Sequence, residues 1–96
     1  MRIIICAKEY LQSEEKLNEL IKDVEILRVE KYKNSCYFET VDNDLYCAIT
    51  DNDKFKAGRC DKIYIKNGVN QDFINAILYP LLSQRSLEDE NRVVYF

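Results

Sequence analysis

The chain has 96 residues, no histidine and a formal net charge of −3. A chain of this length makes one domain around one core, burying roughly 60–65% of its surface on folding. The absence of histidine excludes Ser-His-Asp and Cys-His catalysis and every histidine-ligated metal. The mildly acidic balance excludes a strongly basic, nucleic-acid-coating domain.

The opening run Met1-Arg2-Ile3-Ile4-Ile5-Cys6 is continuously apolar after Arg2, the pattern of a strand buried on both faces. It is too short for a signal peptide or a membrane span, so the expectation is a cytoplasmic protein with no membrane contact. The stretch YLQSEEKLNELIKD follows. Leu17, Leu20 and Ile21 have helical spacing, and Ser13 is the expected N-cap, with Glu14 and Glu15 in the first turn. Val24 to Glu30 reads as a second strand, and the β-α-β order predicts a parallel pair with a right-handed crossover.

SCYFET and LYCAIT, joined by VDND, read as a hairpin whose Asp42, Asn43 and Asp44 supply turn chemistry. Residues 51–59 read as a polar loop and Lys62 to Ile65 as a fifth strand. After Gly68, the rows Phe73, Ile77, Leu81 and Ile74, Leu78, Leu82 form a wide apolar helical stripe. Asn70 is its expected N-cap. Pro80 lacks a backbone donor and is expected to kink or end the helix near Tyr79. RVVYF closes the chain as a short strand. The predicted fold is a single α/β (or α+β) domain over residues 1–96, a small mixed sheet of five or six strands with two helices. With two glycines and one proline, nothing in the chain reads as a flexible linker.

Chemistry-bearing residues are sparse. Cys6, Cys36, Cys47 and Cys60 contain no C-x-x-C pair. Three of them lie in strand-like apolar runs, where free cysteine behaves as a small hydrophobe, and they are expected to be reduced and buried. D-N-D occurs at 42–44 and 51–53, but Asp44 and Asp51 flank one strand. An extended path of that length spans roughly 24 Å, too far to share an ion, so no metal or cofactor is expected. Lys54, Lys56, Arg59, Lys62 and Lys66 form a basic run containing Tyr64. Glu88, Asp89 and Glu90 form an acidic patch.

The segment FKAGRCDKIYI, followed by FINAILYPLLS, resembles the Walker B strand–helix segment of phage large-terminase and helicase-type ATPases over about residues 55–83. In that family an Arg-Gly-x-Arg-x-Asp loop precedes a strand that ends in an Asp-Glu pair, and a helix with a late proline follows. Arg59, Asp61, the Ile63/Ile65 strand and Pro80 match. Gly58 stands one position late, Lys56 replaces an arginine, and Lys66 and Asn67 stand where the acids belong. The resemblance implies a phage or mobile-element origin with the catalytic half lost, since no G-x-x-x-x-G-K-[ST] loop is present.

These features predict a small non-enzymatic binding protein of the bacterial host cytoplasm. It would act by protein–protein contact as an inhibitor of a host defence system, in the manner of an anti-CRISPR. The expected contact residues are Lys54, Lys56, Arg59 and Lys62 on a basic strand edge and Glu88, Asp89 and Glu90 on an acidic loop. The alternative is a nucleotide- or nucleic-acid-binding module derived from a degenerate P-loop NTPase. An enzyme would have to work with carboxylate, lysine or tyrosine chemistry in a pocket holding a buried titratable pair.

Overall fold

In the computed structural model, which describes residues 1–51, 58–82 and 92–96, the continuous apolar run at the start becomes β1 (Arg2–Ala7). Its residues from Ile3 onward are buried, because β1 has neighbours on both sides and a helix over each face. The other strands are β2 (Ile26–Lys31), β3 (Cys36–Thr40), β4 (Leu45–Thr50), β5 (Lys62–Ile65) and β6 (Val93–Tyr95). They form one sheet of order β2-β3-β4-β1-β5-β6. β1 pairs in parallel with β4 and β5, and β5 in parallel with β6. The β2–β3 and β3–β4 pairs are antiparallel. This is the small mixed α/β sheet that the sequence predicts.

Strand alternation divides the core in two. Ile3, Ile5 and Ala48 face α1 (Tyr10–Leu20), packing against Leu17 with Leu20 and Ile21 beside it. Ile4, Cys6, Cys47, Ile49, Ile63 and Ile65 face the second helical segment, meeting Ile74, Leu78 and Leu82. That segment runs without a break through α2 (Gln71–Phe73), a π segment (Ile74–Leu78) and α3 (Tyr79–Leu81). The result is three layers, helix–sheet–helix.

Three local expectations are corrected. β2 does not pair with β1: it lies at the sheet edge and pairs with β3. The chain crosses over α1, runs out to the edge and returns through β3, so the parallel neighbour of β1 is β4. The true parallel β-α-β unit is the C-terminal one, from β5 to β6. Second, β5 is an interior strand between β1 and β6, so Lys62 does not decorate an edge. Third, Ser13 is no cap. α1 starts at Tyr10 with Glu9 at the N-cap position, and Glu9 makes no side-chain capping bond. Ser13 sits a turn inside, fully buried, donating its hydroxyl to the Ile49 carbonyl at 2.7 Å.

At Pro80 the break in the helix falls where the sequence predicts it: the helix passes through a π turn up to Leu78 and ends at Leu81, one residue beyond the proline. The preceding π segment has Tyr79 N–H bonding the Ile74 carbonyl, five residues back. Widening the turn in this way is how a helix accommodates a local break in its ladder, and the helix continues to Leu81.

Turn chemistry follows the sequence. Asn43 takes a left-handed φ of 67°, and the Thr40 hydroxyl oxygen accepts the Asp44 N–H at 3.0 Å. Asn70 caps α2, its side-chain oxygen accepting the Asp72 N–H at 2.8 Å. The four cysteines are free thiols, all buried. Burial, reinforced by the charge of Asp61, pushes the Cys60 thiol up to about 11.

Candidate ligand-binding surface

At the carboxyl end of β5 stand Lys66 and Asn67. Lys66 donates its N–H to the Cys6 carbonyl at 2.9 Å, and Asn67 donates to the Phe96 carbonyl at 3.1 Å. A turn closed by Val69 N–H to the Lys66 carbonyl at 3.3 Å then brings the chain to α2. Gly68 holds φ 104° within it, a backbone conformation open to glycine and strained for other residues.

The position of this turn follows from topology. The chain leaves β1 into α1 on one face of the sheet and leaves adjacent β5 into the 71–81 helix on the other. Where neighbouring parallel strands send their connections in opposite directions, a crevice opens at their carboxyl ends, the usual ligand position of open α/β sheets. Asp51, at the end of β4, reaches across to accept the Asn70 N–H at 2.9 Å.

On the α1 face beside this crevice, period-two alternation puts Lys62, Tyr64 and Lys66 on one side of β5, with Phe96 next to them beyond β6. Lys62 Nζ lies 5.1 Å from the Tyr64 ring centroid and Lys66 Nζ 5.3 Å from that of Phe96. Lys16 of α1 completes the group, 5.6 Å from the Tyr64 centroid and 5.3 Å from the Phe96 centroid. Each separation is within cation–π range. Lys16 also pairs with Glu19 at 3.4 Å. A shallow cleft lined by Gln12, Glu15, Lys16, Glu19, Lys66 and Phe96 runs between α1 and the end of the sheet. Three ammonium groups thus stand over two aromatic rings, with Glu15 and Glu19 of α1 at the rim of the cleft.

Of the residues expected to make contact, Lys54, Lys56, Glu88, Asp89 and Glu90 lie outside the described residues. Arg59 and Lys62 are described and do not share a face. Lys62 lies over Tyr64 on the α1 side. Arg59 lines a hollow on the opposite side with Ile4, Tyr37 and Cys47. Asp61 accepts the Arg2 N–H at 2.8 Å. Lys66 was visible in the basic run, whereas Lys16 was not: it joins the group only through tertiary packing of α1. Among the described residues no three His, Cys, Asp or Glu side chains are placed to share a metal ion, and no helix is long and apolar enough to cross a membrane.

Comparison with protein-family models, with curated proteins and with solved structures finds no match for this chain.

Proposed function

We propose that this is a non-enzymatic binding protein that contacts an anionic face of a partner protein through Lys16, Lys62 and Lys66, with Tyr64 and Phe96 as the apolar floor. The observation that carries it is the gathering of three lysines from α1 and β5 over two aromatic rings on one face of the sheet. Charge of this kind steers association and weakens with salt, while aromatic area supplies most of the energy in small interfaces. A role in blocking a host defence protein, with a phage or mobile-element origin, is the biological setting that the Walker B resemblance implies.

The test is capture of a partner from bacterial lysate by wild type and by the Lys62→Glu, Lys66→Glu double variant, with melting temperature measured on both. Loss of capture at an unchanged melting temperature supports the reading. Undiminished capture by the variant refutes it.

A nucleotide-binding role is favoured by a different observation, the place of Lys66 and Phe96 beside the crevice between β1 and β5. An aromatic ring stacks on a base and lysines meet phosphate. Thermal shift with mononucleotides, cyclic nucleotides and short oligonucleotides at low salt tests it: a shift lost in Lys66→Glu supports this role, and no shift with any of them excludes it. On either reading no magnesium-dependent ATP hydrolysis is expected, since Lys66 and Asn67 cannot hold magnesium as carboxylates would.

A further inference from the structure

The open edge of the sheet at β2 is self-complementary. β2 is a six-residue strand whose only neighbour among the described residues is β3. It exposes Leu27 (64%), Val29 (43%) and, just beyond it, Tyr32 (60%). An edge of this length normally carries devices against pairing. Here a bulge between Ile26 and Arg28 leaves Leu27 as the extra residue, but the strand from Arg28 to Lys31 is regular.

The direction of its unused groups can be read from the ladder. Tyr32 N–H bonds the Ser35 carbonyl at 2.8 Å, so the Tyr32 backbone points inward to β3. Inward and outward positions alternate in an antiparallel pair. Glu30 and Arg28 therefore also point inward, and Val29 and Lys31 present their N–H and C=O groups to the open side.

We propose that the partner of this edge is a second copy of the chain, paired antiparallel through β2 about a two-fold axis at Val29. A two-fold interface must match itself, and the register centred on Val29 does so with opposite charges face to face. Centred on Val29, the two Val29 backbones exchange both hydrogen bonds. Arg28 then stands opposite the partner's Glu30, and Glu30 opposite the partner's Arg28. Leu27 meets the partner's Lys31 at each end, where the bulge loosens the ladder. Centring on Arg28, Glu30 or Lys31 instead puts two like charges face to face, which is destabilising.

Within one chain Arg28 already bonds Glu30, so the guanidinium is oriented on the face where the partner's carboxylate arrives. The two sheets become one of twelve strands. This inference is independent of the proposed function: the basic surface lies at the far end of the sheet, by β5 and β6.

The experiment measures molar mass by sedimentation or light scattering over a concentration series at low salt. Wild type is expected to rise from one chain mass to two. Arg28→Glu sets acid against acid and Glu30→Arg base against base, at two symmetry-related places, and each variant alone is expected to dimerise at least about tenfold more weakly. Mixed one to one, they restore opposite charges across the axis and are expected to form a heterodimer. The mixture cannot restore the ion pair within either chain, so recovery reports the interface alone. Val29→Pro removes an outward N–H without touching the β2–β3 bonds, and is expected to stay folded and monomeric. Circular dichroism checks folding of each variant. A wild type of one chain mass at every concentration overturns the proposal. So does a dimer that tolerates all three substitutions, or a mixture that stays monomeric.

Discussion

Replacing Ser13 by alanine isolates a single buried hydrogen bond. The hydroxyl is fully buried on the sheet-facing side of α1 and bonds the Ile49 carbonyl at 2.7 Å. Ile49 belongs to the alternate set of β4 residues that turn their backbone groups toward β1, as the Leu45 N–H bond to the Met1 carbonyl shows. The β1–β4 register runs on past it to Ala7 and Thr50, so the hydroxyl is an added donor to a carbonyl within the ladder. Alanine removes the hydroxyl and its bond, a loss of about 0.5–1.5 kcal/mol. Better helix propensity returns about 0.5 kcal/mol. The expected net loss is about 0–1 kcal/mol, or a fall in melting temperature of up to roughly 8 °C for a domain of this size.

Urea denaturation gives the free energy directly, and an unchanged m-value shows that the unfolded state has not shifted. The contrasting variant is Glu9→Ser. Glu9 holds the N-cap position with φ −113° and ψ 135° and no capping bond, so serine there is expected to add about 0.5–1 kcal/mol. A Ser13→Ala variant more stable than wild type would refute the role of this hydroxyl as a helix-to-sheet clamp, since helix propensity alone would then account for the change.

Gly68→Ala is expected to cost about 1 kcal/mol although an added Cβ meets nothing within 4 Å, because φ 104° is strained for any side chain; denaturant melts check this. All four thiols should react slowly in the native protein at neutral pH and at full rate once it is unfolded, since each is buried and the thiolate is the reactive form. Alkaline stability follows from two raised groups: burial first, then Cys47, pushes Tyr37 from 10.0 up to about 12, and Cys60 moves from 9.0 to about 11. In both the fold holds the proton more tightly than the unfolded chain, so their contribution is whole below pH 9 and is lost as pH rises through 11 and 12. A pH series of melting temperatures that stays flat across this window would contradict it. Finally, Arg59→Glu should leave capture of any partner held by Lys62 and Lys66 unchanged, because Arg59 lines the opposite face; a loss at constant melting temperature would place contact there.

The strands were legible because burial on two faces leaves a continuous apolar run, as in β1, and the helix of 71–81 because its two apolar rows repeat every four residues. Capping at Asn70 was legible for the same local reason. What failed was information carried between elements. Ser13 followed by acids looks like a helix start in one dimension, and only its contact with β4 shows that it lies inside. Adjacency in sequence suggested that β1 and β2 pair, but strand order is decided by which strands bury most on both sides. Lys62 and Lys66 could be read together at period two, while Lys16, on a helix elsewhere in the chain, could not be joined to them from spacing.

Placing β1 at the middle of the sheet has a consequence for how the protein is made. Its two parallel neighbours, β4 at Leu45–Thr50 and β5 at Lys62–Ile65, both follow it at long sequence separation. Contacts of that range must close large loops before they gain any burial, and they slow folding. The β2–β3–β4 meander is built from short connections and is able to form first, offering β4 as the template on which the waiting first strand docks. Only then does β5 find its place, followed by the helix and β6. During synthesis this apolar segment would thus emerge before the strands that flank it and be among the last to be covered, which makes Ile3 to Cys6 the natural point for a chaperone to bind and for aggregation to begin.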